Sequence, residues 1–235
     1  KKANSADLAY YRALHEARRA GGAHYLYEAT VGAGLPVVHT LRDLRETGDE
    51  ITSVEGIFSG TLAYLFNIYD GRTAFSDSVR DARQRGYTEP DPRDDLSGLD
   101  VARKALILAR TLGMRVEMRD IDLQPMPEVT GAEVERARRQ KKVLRYIATI
   151  SRGGIRVALE AVPLNSPMGS LRGTANQVAI LSKRYKTNPL VVTGPGAGAD
   201  VTAAGVLNDI LAITIQERRR ELPVSGSRLP RSPRK

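Results

Sequence analysis

The sequence predicts an α+β fold, in which helices pack on one face of a mixed β-sheet and a long C-terminal helix closes the ordered region. Two observations lead to this prediction. Apolar residues recur at helical spacing through most of the first half of the 235 residues, and strand-like segments fill much of the second half. Helices that come mainly first and strands that come mainly later favour an α+β layer over a doubly wound sheet.

The first half is predicted to be mainly helical. A helix over 5–20 has Ser5 as its expected N-cap and ends at Gly21. The aromatic-rich segment 24–30 is strand-like and leads into a glycine-rich turn. Apolar spacing predicts one more strand over 51–58 and further helices over 37–46, 59–69, 76–85 (opened by Ser76) and 100–112.

The second half is predicted to supply most of the sheet. A short helix over 132–140 precedes four strands over 142–150, 155–162, 176–184 and 190–193, and a long helix over 200–216 closes the fold. We therefore expect one folded unit over 1–217 and a disordered basic tail over 218–235.

The composition excludes several kinds of chemistry. The chain has no cysteine, which excludes disulfides, thiolate nucleophiles and cysteine-ligated metal sites. Its three histidines, His15, His24 and His39, lack the spacing of a histidine-rich metal site. No apolar run approaches the roughly 18 residues of a membrane span, so no membrane partner is expected.

The net charge of +9 is concentrated at the C-terminus. Residues 218–235 hold seven basic residues and one acid among proline, serine and glycine. A nucleic-acid reader would be expected to place its charge on a folded face. We interpret the tail as a solvated segment, with an anion-binding arm as the alternative, and expect no specific nucleic-acid partner.

The segment 86–104 is the richest in candidate chemical groups. Two prolines stiffen a loop that presents several acids, and Asp100 and Lys104 stand four residues apart on one face of the predicted helix. Spacing alone allows two interpretations. The pair is either an exposed helical ion pair or a carboxylate holding a lysine that donates a proton to a developing alkoxide.

Two glycine-rich turns are further candidates. After Glu28, one carboxylate and several backbone carbonyls at close spacing suit a hard cation, although an ordinary turn has the same pattern. Residues 194–199 match G-x-G-x-x-A, but the helix that follows leads to the basic tail and not to another strand. This turn still offers N–H groups to an anion at a helix N-terminus.

Together these segments resemble homoserine dehydrogenase from about residue 1 to 213. The strings that carry the resemblance are KKAN at 1–4, YEATVGAGLP at 27–36, GIFSGTLAYLFN at 56–67, GYTEPDPRDDLSGLDVARK at 86–104 and GPGAGADVTAAGV at 194–206. The resemblance implies hydride transfer between NAD(P)H and L-aspartate 4-semialdehyde, which gives L-homoserine, or the reverse reaction. This step leads to threonine, methionine and isoleucine.

The resemblance also implies roles for individual residues. It makes Lys104 the general acid/base and Asp100 its partner at the reacting end of the substrate. Lys1 is implied to lie beside substrate and nicotinamide. The further implied contacts are Gly86, Glu89 and Asp95 for homoserine, Gly196, Ala197 and Gly198 for the dinucleotide, and Glu28, Val31, Ala33 and Leu35 for a monovalent cation (Na⁺ or K⁺), the last three through backbone carbonyls.

The sequence departs from the family pattern in two places. The family starts with a dinucleotide-binding domain carrying G-x-G-x-x-G, and this chain begins just after it, so we expect the chain alone to be inactive. The connection between 127 and 142 is shorter than usual. A homodimer in the cytoplasm, or in a plastid for a plant-like source, is what the resemblance implies. The alternatives are a non-catalytic fragment acting by association and a basic-tailed nucleic-acid-associated module.

Overall fold

The computed structural model describes residues 3–87 and 96–221. Its α-helices are α1 (Leu8–Ala20), α2 (Val37–Glu46), α3 (Gly60–Ile68), α4 (Phe75–Gln84), α5 (Leu99–Thr111), α6 (Gly131–Arg139), α7 (Pro167–Ser170) and α8 (Ala199–Glu221). Its strands are β1 (Ile51–Ile57), β2 (Ile121–Leu123), β3 (Lys142–Ser151), β4 (Gly154–Pro163), β5 (Asn176–Ser182) and β6 (Leu190–Gly194). No helix within these residues is long and apolar enough to cross a bilayer.

The strands form one mixed sheet in the order β2-β4-β3-β1-β5-β6. Neighbouring strands are antiparallel except β2, which pairs with β4 in parallel. The predicted α+β fold with a mixed sheet is confirmed. Strand β1 lies near the centre of the sheet, and its end leads directly into α3.

The main core lies on one face of the sheet. Val54, Ile150 and Ile180 lie side by side on the three central strands and pack in one cluster with apolar residues of α5. Alternate strand residues point to the opposite face. There Ile57 and Ile147 form a smaller cluster with Met168 of α7 and with Ala63 of α3, so helices cover part of the second face as well.

Most helix and strand predictions are confirmed within one or two residues, and α2 has the predicted bounds. Three helix details differ. The N-cap of α1 is Asp7, whose carboxylate accepts from the Tyr10 N–H, whereas Ser5 belongs to a preceding 3-10 turn. Helix α4 begins at Phe75, so Ser76 lies inside it and is not the cap. Helix α8 continues to Glu221, so the first residues of the predicted tail are helical.

The predicted strand over 24–30 is wrong. Residues 28–30 form a 3-10 turn, and no strand among the described residues pairs with 24–27. Side chains hold the segment instead: the Tyr27 hydroxyl lies 3.0 Å from the Thr111 hydroxyl, and the Tyr25 hydroxyl donates to Asn4. An aromatic pattern favours a strand only where a neighbouring strand accepts its hydrogen bonds.

Arg145 joins the C-terminal end of α3 to the sheet through a buried charge. Its side chain is 2% exposed, and it donates to the carbonyls of Phe66 at 2.7 Å and Leu171 at 3.1 Å and to the side-chain oxygen of Asn67 at 3.0 Å. The carbonyl end of a helix carries partial negative charge, which suits a cation. Burial, with Arg172 nearby, lowers the pKa of Arg145 to about 10.

We expect Arg145→Met to destabilise the chain, because several buried carbonyls lose their donor. The loss of unfolding free energy should be roughly 3 kcal/mol, measured by urea denaturation. Arg152→Met is the matched control, since its side chain is 78% exposed, and it should change the value by less than about 0.5 kcal/mol. Equal stability of the two variants would contradict this role for Arg145.

Candidate active site

A cavity of about 540 Å³ opens where β1 ends and where α3 and α5 begin. The glycine-rich turn between β6 and α8 forms another part of its wall. The fold therefore brings together two distant stretches of sequence that were predicted to carry chemistry. The predicted site residues that line the cavity are Gly86, Asp100, Lys104, Gly196 and Ala197.

Lys104 is held inside this cavity by two acceptors. Its Nζ lies 2.9 Å from Oδ2 of Asp100 and donates to the carbonyl oxygen of Phe58 at 2.7 Å. An ammonium group has three N–H bonds, so one more is available to an oxygen in the cavity. The Lys104 side chain is 14% exposed, whereas a merely solvated helical pair would expose both partners.

The start of α5, which carries both residues, is fixed by a close contact with the sheet. Gly98 precedes the helix in the left-handed region at φ 72°, and a Cβ there would lie 2.1 Å from the hydroxyl of Tyr146. That hydroxyl donates to the Gln124 carbonyl at 2.6 Å, and burial raises the pKa of Tyr146 to about 12. The hydroxyl therefore keeps its proton, and Gly98 is the residue that this close approach requires.

The start of α3 forms the opposite wall. Ser59 caps the helix by accepting from the Leu62 N–H at 3.2 Å, and the Thr61 hydroxyl donates to the Tyr87 carbonyl at 2.6 Å. The first N–H groups of a helix have no partner within it, and its N-terminus carries partial positive charge. This wall is suited to a carboxylate group of a ligand in the cavity.

Asn176 is a site residue that the sequence reasoning missed. It is 1% exposed, and its Nδ2 donates to the Phe58 carbonyl at 3.3 Å, the same oxygen that accepts from Lys104. Its Oδ1 is buried and has no partner within the described residues. The available signal was weak: a polar residue opens a predicted strand whose other residues are mostly apolar.

Asn176 also explains one glycine of the 194–198 turn. A Cβ on Gly196 would lie 2.0 Å from the amide carbon of Asn176, so the turn approaches the amide as closely as its backbone allows. Gly198 has φ 124° and ends the turn directly before α8. The turn that was predicted to touch a dinucleotide thus packs on the residue that shares an acceptor with Lys104.

Other predicted site residues lie elsewhere or cannot be placed. Lys1, Glu89 and Asp95 lie outside the described residues, so their predicted roles stay predictions. Glu28 lies in the 3-10 turn before α2, and the predicted cation turn follows it. Within residues 3–87 and 96–221, no group of three or more His, Asp or Glu side chains is arranged to hold a metal ion.

The Glu28 carboxylate binds the beginning of α2. Its two oxygens accept from the N–H groups of Val38 at 2.8 Å and His39 at 2.7 Å, while its own N–H donates to Asp209 of α8 at 2.9 Å. Burial raises the pKa of Glu28 above its ordinary value, and the N–H groups of α2 act in the opposite direction. A predicted ligand residue therefore already has a structural role.

The turn after Glu28 has an unusual backbone. Ala33 adopts φ 55°, the left-handed region that residues other than glycine seldom enter. Its carbonyl faces α8, where a Cβ on Gly205 would lie 2.8 Å from that oxygen. The Leu35 carbonyl accepts from the Val37 N–H at 2.8 Å. The cation site at Glu28, Val31, Ala33 and Leu35 stays a prediction.

The amino-acid sequence is similar to those of proteins named as enzymes. The family model described as "Homoserine dehydrogenase" matches residues 36–211. A bifunctional aspartokinase/homoserine dehydrogenase from Zea mays is 48% identical over 91% of this chain and 26% of its own length. The homoserine dehydrogenase of Schizosaccharomyces pombe is 42% identical over 95% of this chain and 67% of its own length. The chain thus spans a quarter to two thirds of these relatives.

Solved structures share the fold. A putative homoserine dehydrogenase from Archaeoglobus fulgidus has a TM-score of 0.80 at 31% identity, over 88% of this chain and 63% of its own. A hyperthermophilic archaeal homoserine dehydrogenase solved in complex with NADPH has a TM-score of 0.75 at 26% identity, over 89% of this chain and 61% of its own.

The contact between Gly196 and Asn176 predicts a measurable coupling. Gly196→Ala should lower the unfolding free energy by roughly 2 kcal/mol, because the added methyl overlaps the buried amide. In an Asn176→Ala background the same substitution should cost less than about 0.5 kcal/mol. Gly153→Ala is the control, since its nearest neighbour lies at 3.5 Å. Equal costs in both backgrounds would contradict the contact.

Proposed function

This chain belongs to the homoserine dehydrogenase family, and we propose that it forms the substrate-binding and catalytic part of an NAD(P)H-dependent oxidoreductase. The proposed reaction interconverts L-aspartate 4-semialdehyde and L-homoserine, a step toward threonine, methionine and isoleucine. One observation carries the proposal. Lys104 is held by Asp100 and the Phe58 carbonyl in a cavity that the glycine-rich 194–198 turn also lines.

Lys104 supplies the proton of the proposed reduction. When the aldehyde oxygen lies beside Nζ, the third N–H of the ammonium donates to it as the carbonyl carbon is reduced, and the oxygen becomes the hydroxyl of homoserine. Asp100 and the Phe58 carbonyl hold the other N–H bonds, so the proton is aimed before the substrate arrives. In the reverse direction the neutral amine accepts the hydroxyl proton.

The remaining walls of the cavity fit an amino-acid substrate. Its α-carboxylate suits the positive end of α3 at Gly60 and Thr61, both of which line the cavity. Gly86 lies on the same wall as Tyr87, where the resemblance places a homoserine contact. Glu89 and Asp95 are proposed to complete the recognition of the substrate's ammonium group.

We propose that NAD(P)H approaches the same cavity from the side of the 194–198 turn. Pro195, Gly196 and Ala197 line the cavity and present backbone there, close to Lys104. Gly198 and Lys1 are the further proposed contacts. When bound, the cofactor supplies the hydride, and the chain's own residues orient the substrate and deliver the proton.

The alternative functions have less support. A non-catalytic fragment of this fold would not need Lys104 to be aimed into a cavity, and the relatives compared with this chain are named as enzymes. A nucleic-acid-associated module would rest on the basic residues of 218–235, most of which lie outside the described residues. We further propose a homodimer, located in the cytoplasm or, for a plant-like source, in a plastid; sedimentation of the purified chain tests the dimer.

We propose that the turn after Glu28 binds a monovalent cation. The available ligands are oxygens only, with one carboxylate and the carbonyls of Val31, Ala33 and Leu35, which suits Na⁺ or K⁺ better than Mg²⁺. Such an ion would shape the turn between Glu28 and α2. It would lie apart from the proton donor, since these residues do not line the catalytic cavity.

The test of the enzymatic role is a Lys104 variant in a complete enzyme. We expect the chain to be active when joined to the dinucleotide-binding domain of a relative and inactive alone, since hydride transfer needs a held nicotinamide. In the joined protein, Lys104→Ala should lower kcat by about 10²–10⁴. Lys183→Ala is the control, because that side chain is 73% exposed and pairs with Glu50. A Lys104→Ala rate within about threefold of the parent would reduce the pair to a structural ion pair.

The test of the Glu28 turn is the substitution Glu28→Gln. Only one N–H of α2 can then find an acceptor, so the unfolding free energy should fall by about 1–2 kcal/mol, while Glu46→Gln in the last turn of α2 should change little. Replacing Na⁺ and K⁺ with tetramethylammonium should lower the unfolding free energy of the parent chain more than it lowers that of the Glu28→Gln variant. Inactivation of the joined enzyme by EDTA that Mg²⁺ or Zn²⁺ reverses would contradict the monovalent assignment.

A further inference from the structure

A second cavity, of about 460 Å³, lies at the other end of α5 from the catalytic lysine. Its walls come from α1, the segment 24–27, α2, the last residues of α5 and Ala212 of α8. It shares no lining residue with the catalytic cavity. Arg110 in its wall lies six residues after Lys104, about 9 Å along the helix axis. The volume is within the range of pockets that hold small molecules.

The lining of this second cavity is strongly basic. Four arginines and two acids contribute, a net charge of +2 with the histidines neutral, and all three histidines of the chain are present as well. Two of the arginines already have acceptors. Arg45 donates to the Thr111 carbonyl at 2.7 Å, and the N–H groups of Arg110 all donate, to backbone carbonyls and to Glu117 at 3.3 Å. Arg18 and Arg42 supply the remaining charge.

Aromatic rings hold these charges in place. The guanidinium of Arg42 lies 4.3 Å from the ring centre of Tyr27, and that of Arg110 lies 4.9 Å from the ring centre of Tyr11. The His15 ring lies between Tyr11, at 4.4 Å, and Tyr25, at 5.7 Å. Stacking on Tyr27 leaves the N–H edge of Arg42 facing outward, the geometry that binds a phosphate through two parallel hydrogen bonds, whereas the N–H groups of Arg110 are occupied by protein acceptors.

Two nitrogen atoms in this wall lack a hydrogen-bond partner among the described residues. The Nε2 atom of His15 and the Nε atom of Arg18 are buried, and neither has a hydrogen-bond partner within the residues that the structure describes. A buried donor without an acceptor is costly. Burial, followed by the charges of Arg18 and Arg42, lowers the pKa of His15 below its ordinary value. A ligand oxygen bearing negative charge would supply an acceptor and offset the crowded positive charge.

We propose that this second cavity binds a small molecule carrying a phosphate group, with Arg18, Arg42 and His15 as its contacts. In this proposal the stacked Arg42, the Arg18 Nε–H and the His15 ring, which line the same cavity, bind one anion, and the tyrosine rings provide a surface for the rest of the molecule. The site is separate from the proposed reaction, and its test does not depend on enzymatic activity.

The experiment uses the 235-residue chain with inorganic pyrophosphate as the probe, at constant ionic strength and with chloride as the only other anion. Calorimetry measures the affinity, and the imidazole NMR signals report which histidine responds. We expect a Kd of about 1 mM or tighter, and a shift of the His15 signal. Arg18→Met and Arg42→Gln should each weaken binding about tenfold, and thermal unfolding checks that both variants fold.

Arg12→Met is the matched control, because it removes the same charge from an exposed position of α1 that does not line the cavity. It should leave the affinity within about twofold. Absence of binding up to about 10 mM pyrophosphate, ten times the expected Kd, would overturn the proposal. Binding that Arg18→Met leaves unchanged would place the anion on the basic C-terminal residues and would also overturn it. Equal affinity for succinate would show that the site does not select phosphate, and this result too would overturn the proposal.

Discussion

The geometry of the proposed catalytic site depends on the carbonyl oxygen of Phe58. Phe58 directly follows the last residue of β1. Its carbonyl oxygen accepts hydrogen bonds from Lys104 at 2.7 Å and from Asn176 at 3.3 Å. A central strand flanked by β3 and β5 fixes its position. The lysine is therefore held by the sheet as well as by Asp100, which a helical ion pair alone would not achieve.

Two glycines fix other parts of the site relative to the sheet. Gly98 starts the helix against the Tyr146 hydroxyl, and Gly196 brings the 194–198 turn against Asn176. Both contacts leave no room for a Cβ, so each joins a site segment to the sheet at a fixed distance. At the C-terminal end of α3, Arg145 joins this helix to the opposite face of the sheet. These contacts hold in position the segments that form the walls of the cavity.

Local patterns predicted much of this arrangement, and long-range contacts account for what they missed. The four-residue spacing of Asp100 and Lys104 is local, and so is the periodicity that predicted α2. Asn176 lies 118 residues from the carbonyl it binds, and Glu28 binds N–H groups of a helix that starts nine residues later. Strand β2 has only three residues, too few for alternation to be visible. Segment 24–30 has the composition of a strand, but composition does not supply a pairing partner.

The most direct test of the proton-donor assignment is chemical rescue of Lys104→Ala in the joined enzyme. The substitution leaves space in a cavity where Asp100 and the Phe58 carbonyl remain as acceptors. A small alkylammonium ion can occupy that space and donate the missing proton. The measurement is the rate of aldehyde reduction against amine concentration in the folded variant. The account predicts a rate that rises with concentration and depends on the pKa of the amine; a rate that no amine increases would contradict it.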